Sequence, residues 1–231
     1  MSKDHKTYDK VKKALVSGQY QLAINLLNTL LKRFPENSEY LLSMGEAKMR
    51  NEEFPEAVTY FARVVSQDKF NIRALNNFGA ALVRSRHLEE AREILHYALD
   101  LQPDNIDILT NLGSVYQGLN KPEKCLEIAV KVIKLNPTWF MGYNNLGCAL
   151  GDIMRIDEAK EAYKTAVTLN PKYVPAIINL AQLEVKSGNN RAGIELYEKA
   201  LELDNITKGE EDLIKYYLSY SYLYFGNLEK G

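Results

Sequence analysis

The stretch from Tyr143 to Pro171 reads YNNLGCALGDIMRIDEAKEAYKTAVTLNP, and its spacing recurs along the rest of the chain. Gly147 stands 34 residues after Gly113, and the same step leads back to Gly79 and Gly45. With 13 glycines in 231 residues, three further in-register matches arise by chance roughly twice in ten thousand trials, so the period decides the fold class. Pro103, Pro137 and Pro171 keep the step, with Pro35 two steps before the first of them. Ala57 and Ala91 are followed by Cys125 and then Ala159.

Each of these residue types has a physical reason to recur. A small residue in a first helix lets a second helix approach closely, and Leu and Tyr neighbours at helical spacing form its apolar stripe. Proline cannot continue the second helix and ends the unit. One helix pair cannot bury its apolar face, whereas stacked pairs share a continuous core.

In the fifth unit Tyr143, Leu146, Gly147, Leu150, Ala159, Tyr163, Ala166 and Pro171 carry the pattern, and in the fourth Leu109, Leu112, Gly113, Tyr116, Cys125, Ala129, Val132 and Pro137 do. On these residues the chain resembles the tetratricopeptide repeat family. The resemblance implies an all-α, right-handed superhelical solenoid of antiparallel helix pairs filling residues 1–231 as a single domain. Its repeats fall at about 4–37, 38–71, 72–105, 106–139, 140–173 and 174–207, with a partial repeat at 212–231. The terminal repeats depart from the pattern: Lys10 and Val11 replace Leu and Gly in the first, and Ala181 and Gly193 occupy the usual Gly and Ala sites of the sixth. Lys69 and Asn205 replace the stop proline in repeats two and six. Lys208 to Glu211 reads as a short insertion, and Asp212 to Phe225 as a further first helix closed by Gly226.

In the family the first helices line the concave face, and the resemblance carries the groove positions onto this chain. The sixth position of each repeat then reads Asn77, Asn111, Asn145 and Asn179, an asparagine ladder. Asparagine is a poorer helix former than alanine by about half a kcal/mol, so four in register point to a role beyond helix stability. An amide offers both donor and acceptor, which suits the backbone of an extended peptide whatever its side chains. Asn76, Asn144, Arg73, Thr110, Ser114 and Gln117 join the ladder and make the middle of the groove polar and largely uncharged. This character resembles the repeat arm of O-linked N-acetylglucosamine transferases and of bacterial glycosyltransferases with these repeats. The family also uses a carboxylate clamp for acidic tails, but here no first helix has the Lys followed four residues later by Asn that it requires. Arg73 and Arg84 could pair an acidic ligand, with Asp107 and Asp152 opposing one.

The remaining composition excludes other classes. The net charge is −1, and beyond the short run at Lys10, Lys12 and Lys13 there is no basic cluster of the kind nucleic acid demands. No apolar run reaches transmembrane length, and Met1–Lys13 is polar and charged with no apolar core segment, so no membrane insertion and a cytoplasmic, reducing setting are expected. Cys125 and Cys148 are too few for a zinc site; Cys125 reads as a buried small residue, and Cys148 falls at a groove position. Glu93 and His96 have di-iron ligand spacing without the second pair such a site needs, and read as a solvated outer face. Phe140, Met141 and Trp139 read as packing between repeats. No metal, cofactor or catalytic residue is expected.

The function expected is a non-enzymatic scaffold that binds an extended polypeptide in the groove. Two alternatives stand beside it: the substrate-recruiting arm of a larger glycosyltransferase-like enzyme, and a self-assembling structural protein. Ile214, Leu218 and Tyr222 are expected to pack on repeat six, leaving Tyr216, Tyr217, Tyr220 and Tyr224 as an association edge. Replacing Asn111 and Asn145 with alanine is expected to weaken peptide binding at equal or slightly higher stability.

Overall fold

The computed structural model describes the backbone of residues 3–228 and the side chains of residues 3–223. Among these the chain forms thirteen α-helices and no strand. They fall into two compact units, Met1–Leu119 and Asn120–Gly231. The first holds α1 (Lys3–Val16), α2 (Tyr20–Arg33), α3 (Ser38–Arg50), α4 (Phe54–Gln67), α5 (Ile72–Arg84), α6 (Leu88–Leu101) and α7 (Ile106–Gly118). The second holds α8 (Pro122–Leu135), α9 (Phe140–Asp152), α10 (Ile156–Leu169), α11 (Val174–Lys186), α12 (Asn190–Leu201) and α13 (Lys208–Leu228). Odd-numbered helices are the first of each pair.

The repeating glycines stand where helices touch. A Cβ on Gly45 would lie 2.5 Å from Phe61, one on Gly79 2.5 Å from Leu95, and one on Gly147 2.6 Å from Tyr163. Repeat six inverts the device: Gly193 of α12 carries the close approach, with its Cβ position 2.4 Å from Val185 and 2.9 Å from the Ala181 carbonyl of α11. The exchange of Gly and Ala between the two helices therefore preserves the packing distance.

Within repeats one to six, every turn from first to second helix reverses through one left-handed residue. Gly18, Glu52, Arg86, Asn120, Met154 and Gly188 have φ of 72°, 61°, 65°, 54°, 64° and 86°, again at the 34-residue step. In five of these turns the next residue closes the helix with a six-to-one backbone bond: Gln19 to Ala14, Glu53 to Lys48, His87 to Leu82, Arg155 to Leu150 and Asn189 to Glu184, each 2.9 Å. A left-handed non-glycine residue costs on the order of 1 kcal/mol. Four of the six turns bear that cost, and closing bonds hold three of them, those at Glu52, Arg86 and Met154.

The opposite turns start the next first helix. Asn37, Asn71 and Asn105 accept hydrogen bonds from the backbone N–H groups of Tyr40, Ala74 and Ile108, capping α3, α5 and α7. In the second unit the corresponding residues are Trp139 and Tyr173, which make no side-chain cap. Instead Trp139 stacks on Phe140 at 5.9 Å, and Phe140 meets Tyr173 edge to face at 4.8 Å, the packing between repeats expected of this cluster.

The core of the first unit begins with Tyr8, Val11, Ile24, Leu27, Leu30 and Met44 and continues through the fully buried Phe61, Leu75, Leu82, Leu95 and Leu109. The second unit buries one cluster around Cys148, Leu150, Tyr163 and Leu180, and another around Ile177, Tyr197 and Ile214.

Two sequence expectations for the C-terminal segment are corrected. Lys208 to Glu211 is no insertion: Thr207 and Glu210 form a reciprocal cap, with Thr207 N–H donating to Glu210 Oε2 at 3.0 Å and Glu210 N–H to Thr207 Oγ1 at 3.3 Å, so α13 starts at Lys208. Gly226 does not end the helix, which runs on to Leu228.

Candidate functional site

In the first unit the polar positions of the first helices are tied to one another. Tyr8 of α1 and Ser43 of α3 share a hydrogen bond of 2.8 Å, and Asn111 of α7 donates from Nδ2 to Oδ1 of Asn76 on α5 at 2.9 Å. Both pairs are 35 residues apart, the offset that joins the sixth position of one repeat to the fifth of the repeat before. Burial pushes the Tyr8 hydroxyl up to about 12, which keeps it neutral. Asn77 has Leu42 at that offset and turns to Glu46 of α3, donating from Nδ2 to Oε1 at 3.1 Å.

Glu46 also receives Arg73 in a two-pronged pair, Nε to Oε1 at 2.9 Å and Nη2 to Oε2 at 2.8 Å. The other groove arginine, Arg84, lies over the ring of Phe54 at 4.5 Å. Both arginines thus have partners within the unit. Thr110 is buried and donates to the Ile106 carbonyl at 2.6 Å, Ser114 donates to the Thr110 carbonyl at 3.3 Å, and Gln117 is exposed.

The second unit repeats the stitch. Asn179 of α11 donates from Nδ2 to Asn144 Oδ1 at 3.0 Å and lies 3.6 Å from Cys148 Sγ. Asn144 and Asn145 are buried, and the Asn145 carbonyl accepts the Cys125 thiol at 3.5 Å. Burial pushes that thiol up to about 12, so it stays protonated and unreactive. Cys148 lies in the core, 5% exposed. The amides of Asn77, Asn111 and Asn179 are each oriented by a committed N–H to a neighbouring helix, and each keeps its Oδ1 uncommitted.

Elsewhere, Glu93 and His96 are both exposed, as the solvated reading has it, and His96 Nε2 meets the Tyr116 hydroxyl of α7 at 2.8 Å. No group of three His, Cys, Asp or Glu side chains among the described residues is placed to hold a metal ion. No helix among them is long and apolar enough to cross a membrane.

The aromatic face of α13 is turned by about one residue from the expected phase. Ile214, Tyr217, Leu218 and Ser221 face repeat six, and Tyr217 stacks on Tyr197 with centroids 6.0 Å apart. Tyr217 is therefore packed and not part of an open edge. Tyr222 is half exposed, its hydroxyl donating to Glu198 at 2.5 Å. Tyr216 and Tyr220 are exposed as expected, joined by Leu213 and Leu223, and the Tyr224 side chain lies outside the described residues. Glu46 and the pairing partners at the 35-residue offset were not anticipated from sequence; the offset itself would have revealed Tyr8 with Ser43.

No curated protein matches this chain. Among solved structures it is similar to TTC0263, a thermophilic TPR protein of Thermus thermophilus, at 17% identity and TM-score 0.73, covering 81% of this chain and 100% of that one. It is similar also to a tetratricopeptide repeat protein from Parabacteroides merdae, at 18% identity and TM-score 0.69, covering 98% and 92%. MamA of MSR-1 shares 28% identity over 72% of this chain and 96% of its own, at TM-score 0.51. The first two likenesses establish the shared fold. Two models of the tetratricopeptide repeat match the sequence, one at residues 8–72 and the other at 106–138, 142–173 and 174–207, and the chain belongs to the tetratricopeptide repeat family.

Proposed function

We propose that this chain is an interaction scaffold that binds extended polypeptide through first-helix amides, those of Asn77 and Asn111 in the first unit and that of Asn179 in the second. The observation that carries the reading is their half-commitment. One N–H of each is held by a neighbouring helix, which fixes the direction of the rest of the amide before any ligand arrives. A donor and an acceptor on one rigid group match the alternating N–H and C=O of an extended backbone. Exposed Gln117 would add a contact of the same chemistry, whereas Asn76 and Asn144 hold Asn111 and Asn179 in place, and Asn145 and Thr110 are buried. Arg73 is paired with Glu46, so acidic ligands are disfavoured in the first unit. Two buried free thiols suit a reducing, cytoplasmic setting.

Selection from a display library of random peptides tests this. Clones captured by the wild-type chain should lose most of their binding to the variant Asn77→Ala/Asn111→Ala/Asn179→Ala. Equal capture by the two proteins would place the binding surface elsewhere.

A second reading rests on a separate observation. Leu213, Tyr216, Tyr220 and Leu223 are 42%, 65%, 59% and 70% exposed and form one stripe along α13. A contiguous apolar stripe of this kind marks a contact surface, and self-association through it is the form we favour.

A further inference from the structure

The α13 stripe has a counterpart at the other end of the chain. On α1, Lys3, Lys6, Lys10 and Lys13 recur at steps of three, four and three residues, which places them on one face of the helix. All four are exposed, and none has an ion-pair partner among the described residues. The remaining basic residues nearby are already engaged: Lys12 with Glu39 and the Tyr8 ring, and Arg33 with Asp4. Tyr8, Val11 and Ala14 of the same helix enter the core, which leaves the lysine row facing solvent. Four uncompensated ammonium groups on one helix face repel one another, and a surface of opposite charge relieves that repulsion.

Leu213, Tyr216, Tyr220 and Leu223 follow the same three, four, three steps on α13. The segment leading to them is acidic: from Glu195 to Asp212 it carries seven carboxylates against two lysines, and with Glu195, Asp204 and Glu211 paired to Arg191, Lys172 and Lys215, Glu198, Glu202, Glu210 and Asp212 have no ion-pair partner among the described residues. Asp212 precedes the stripe with no ion-pair partner among the described residues, and helical phase places it beside Tyr216. Lysine is suited to such a surface. Its aliphatic stem covers leucine and tyrosine rings, its ammonium group binds the ring face, and its tip reaches a flanking carboxylate. A row of four lysines and a stripe of four apolar side chains with one spacing can register along two crossing helices.

Resting on the reading of the α13 face as a contact surface, we infer that its occupant is the lysine row of α1 from a second copy of this chain. The contact joins two different surfaces, so each copy keeps one of them free and further copies add in series. The row has no exposed aromatic to insert into a bilayer, and the opposite charge that would attract it is carried by the chain itself.

Sedimentation velocity of the full chain at about 50 mM salt and increasing concentration reads the assembly. The wild type should grow beyond a monomer, and raising salt to about 500 mM should weaken the association tenfold or more. Two variants separate the surfaces: Lys6→Glu/Lys10→Glu/Lys13→Glu on α1, and Tyr216→Ser/Tyr220→Ser on α13. Both change exposed side chains, and circular dichroism verifies that the helices persist; Lys→Gln at the same three positions serves as a milder α1 variant. Each variant alone should remain a monomer, and an equimolar mixture should give a species of twice the monomer mass and none larger. If the α1 variants associate like the wild type while the α13 variant does not, the α13 contact stands and the lysine row is not its partner. A wild type that stays monomeric at all concentrations overturns both the inference and the contact-surface reading beneath it.

Discussion

Asn111 does two jobs with one side chain. Its committed N–H holds Asn76, and its free half is what a ligand would meet. The same division applies to Asn179 over Asn144. Helix propensity alone favours alanine at these sites by about half a kcal/mol. A lost hydrogen bond between partly buried amides costs about 1 kcal/mol. The second outweighs the first, so Asn111→Ala should lower stability slightly, by about 0.5 kcal/mol in urea unfolding, against the expectation drawn from sequence. Asn145 is 4% exposed, and its replacement should cost more, about 1 to 2 kcal/mol. A double-mutant cycle on Asn76 and Asn111 should show coupling near about 1 kcal/mol, and additive effects would deny the stitch. Sequence placed the ladder and its neighbours Asn76 and Asn144 but not the bonds that join them, because a residue 35 positions away leaves no local mark. Glu46 was missed for the same reason: nothing near it in sequence signals Arg73 and Asn77.

At the scale of elements, the turns hold the clearest stability predictions. Met154 sits at φ 64° and is 77% exposed, so its side chain contributes little packing against the strain of its backbone. Met154→Gly should raise stability by about 0.5 to 1 kcal/mol, visible as a higher melting temperature, whereas Gly188→Ala should lower it by about 1 kcal/mol. No change in either variant would mean that the turn tolerates a side chain without cost.

The end of α11 supplies a pH-dependent tie. Glu184 is nearly buried, and burial alone would raise its carboxyl. Hydrogen bonds from Asn189 at 2.7 Å and Lys160 at 2.9 Å outweigh that and hold it below its ordinary value of 4.5. A depressed carboxylate contributes stability above the unfolded value and loses it as pH falls through the folded one. Glu184→Ala should therefore cost about 2 kcal/mol at pH 7. The gap in melting temperature between wild type and Glu184→Gln should shrink as pH drops from about 7 to 3.

The period of 34 was readable because close helix approach demands glycine, as at Gly45, Gly79 and Gly147. The left-handed turn was not, since Glu52, Arg86 and Met154 break any glycine signature that Gly18 and Gly188 begin. Asn37, Asn71 and Asn105 were open to the same counting and would have fixed three helix starts. On α13 the aromatic content was legible, but six aromatic residues on one helix blur its phase, and Tyr217 fell on the wrong side.

Taken as a whole molecule, the chain is close to neutral yet unevenly charged, with lysines on α1 and carboxylates from α12 into the start of α13. Neither end alters the amide face of the first helices, so peptide binding and association between copies should be separable: the α1 and α13 variants should bind a selected peptide as the wild type does. The central claim is that the amides of Asn77, Asn111 and Asn179 recognise polypeptide backbone. Calorimetric titration of the wild-type chain with one library-selected peptide, its sequence-scrambled form and its backbone N-methylated form tests this most directly. Backbone recognition predicts that scrambling changes affinity by less than about threefold while N-methylation, by removing donors, weakens it about tenfold or more. Loss of binding on scrambling, with the N-methylated peptide still bound, would contradict it.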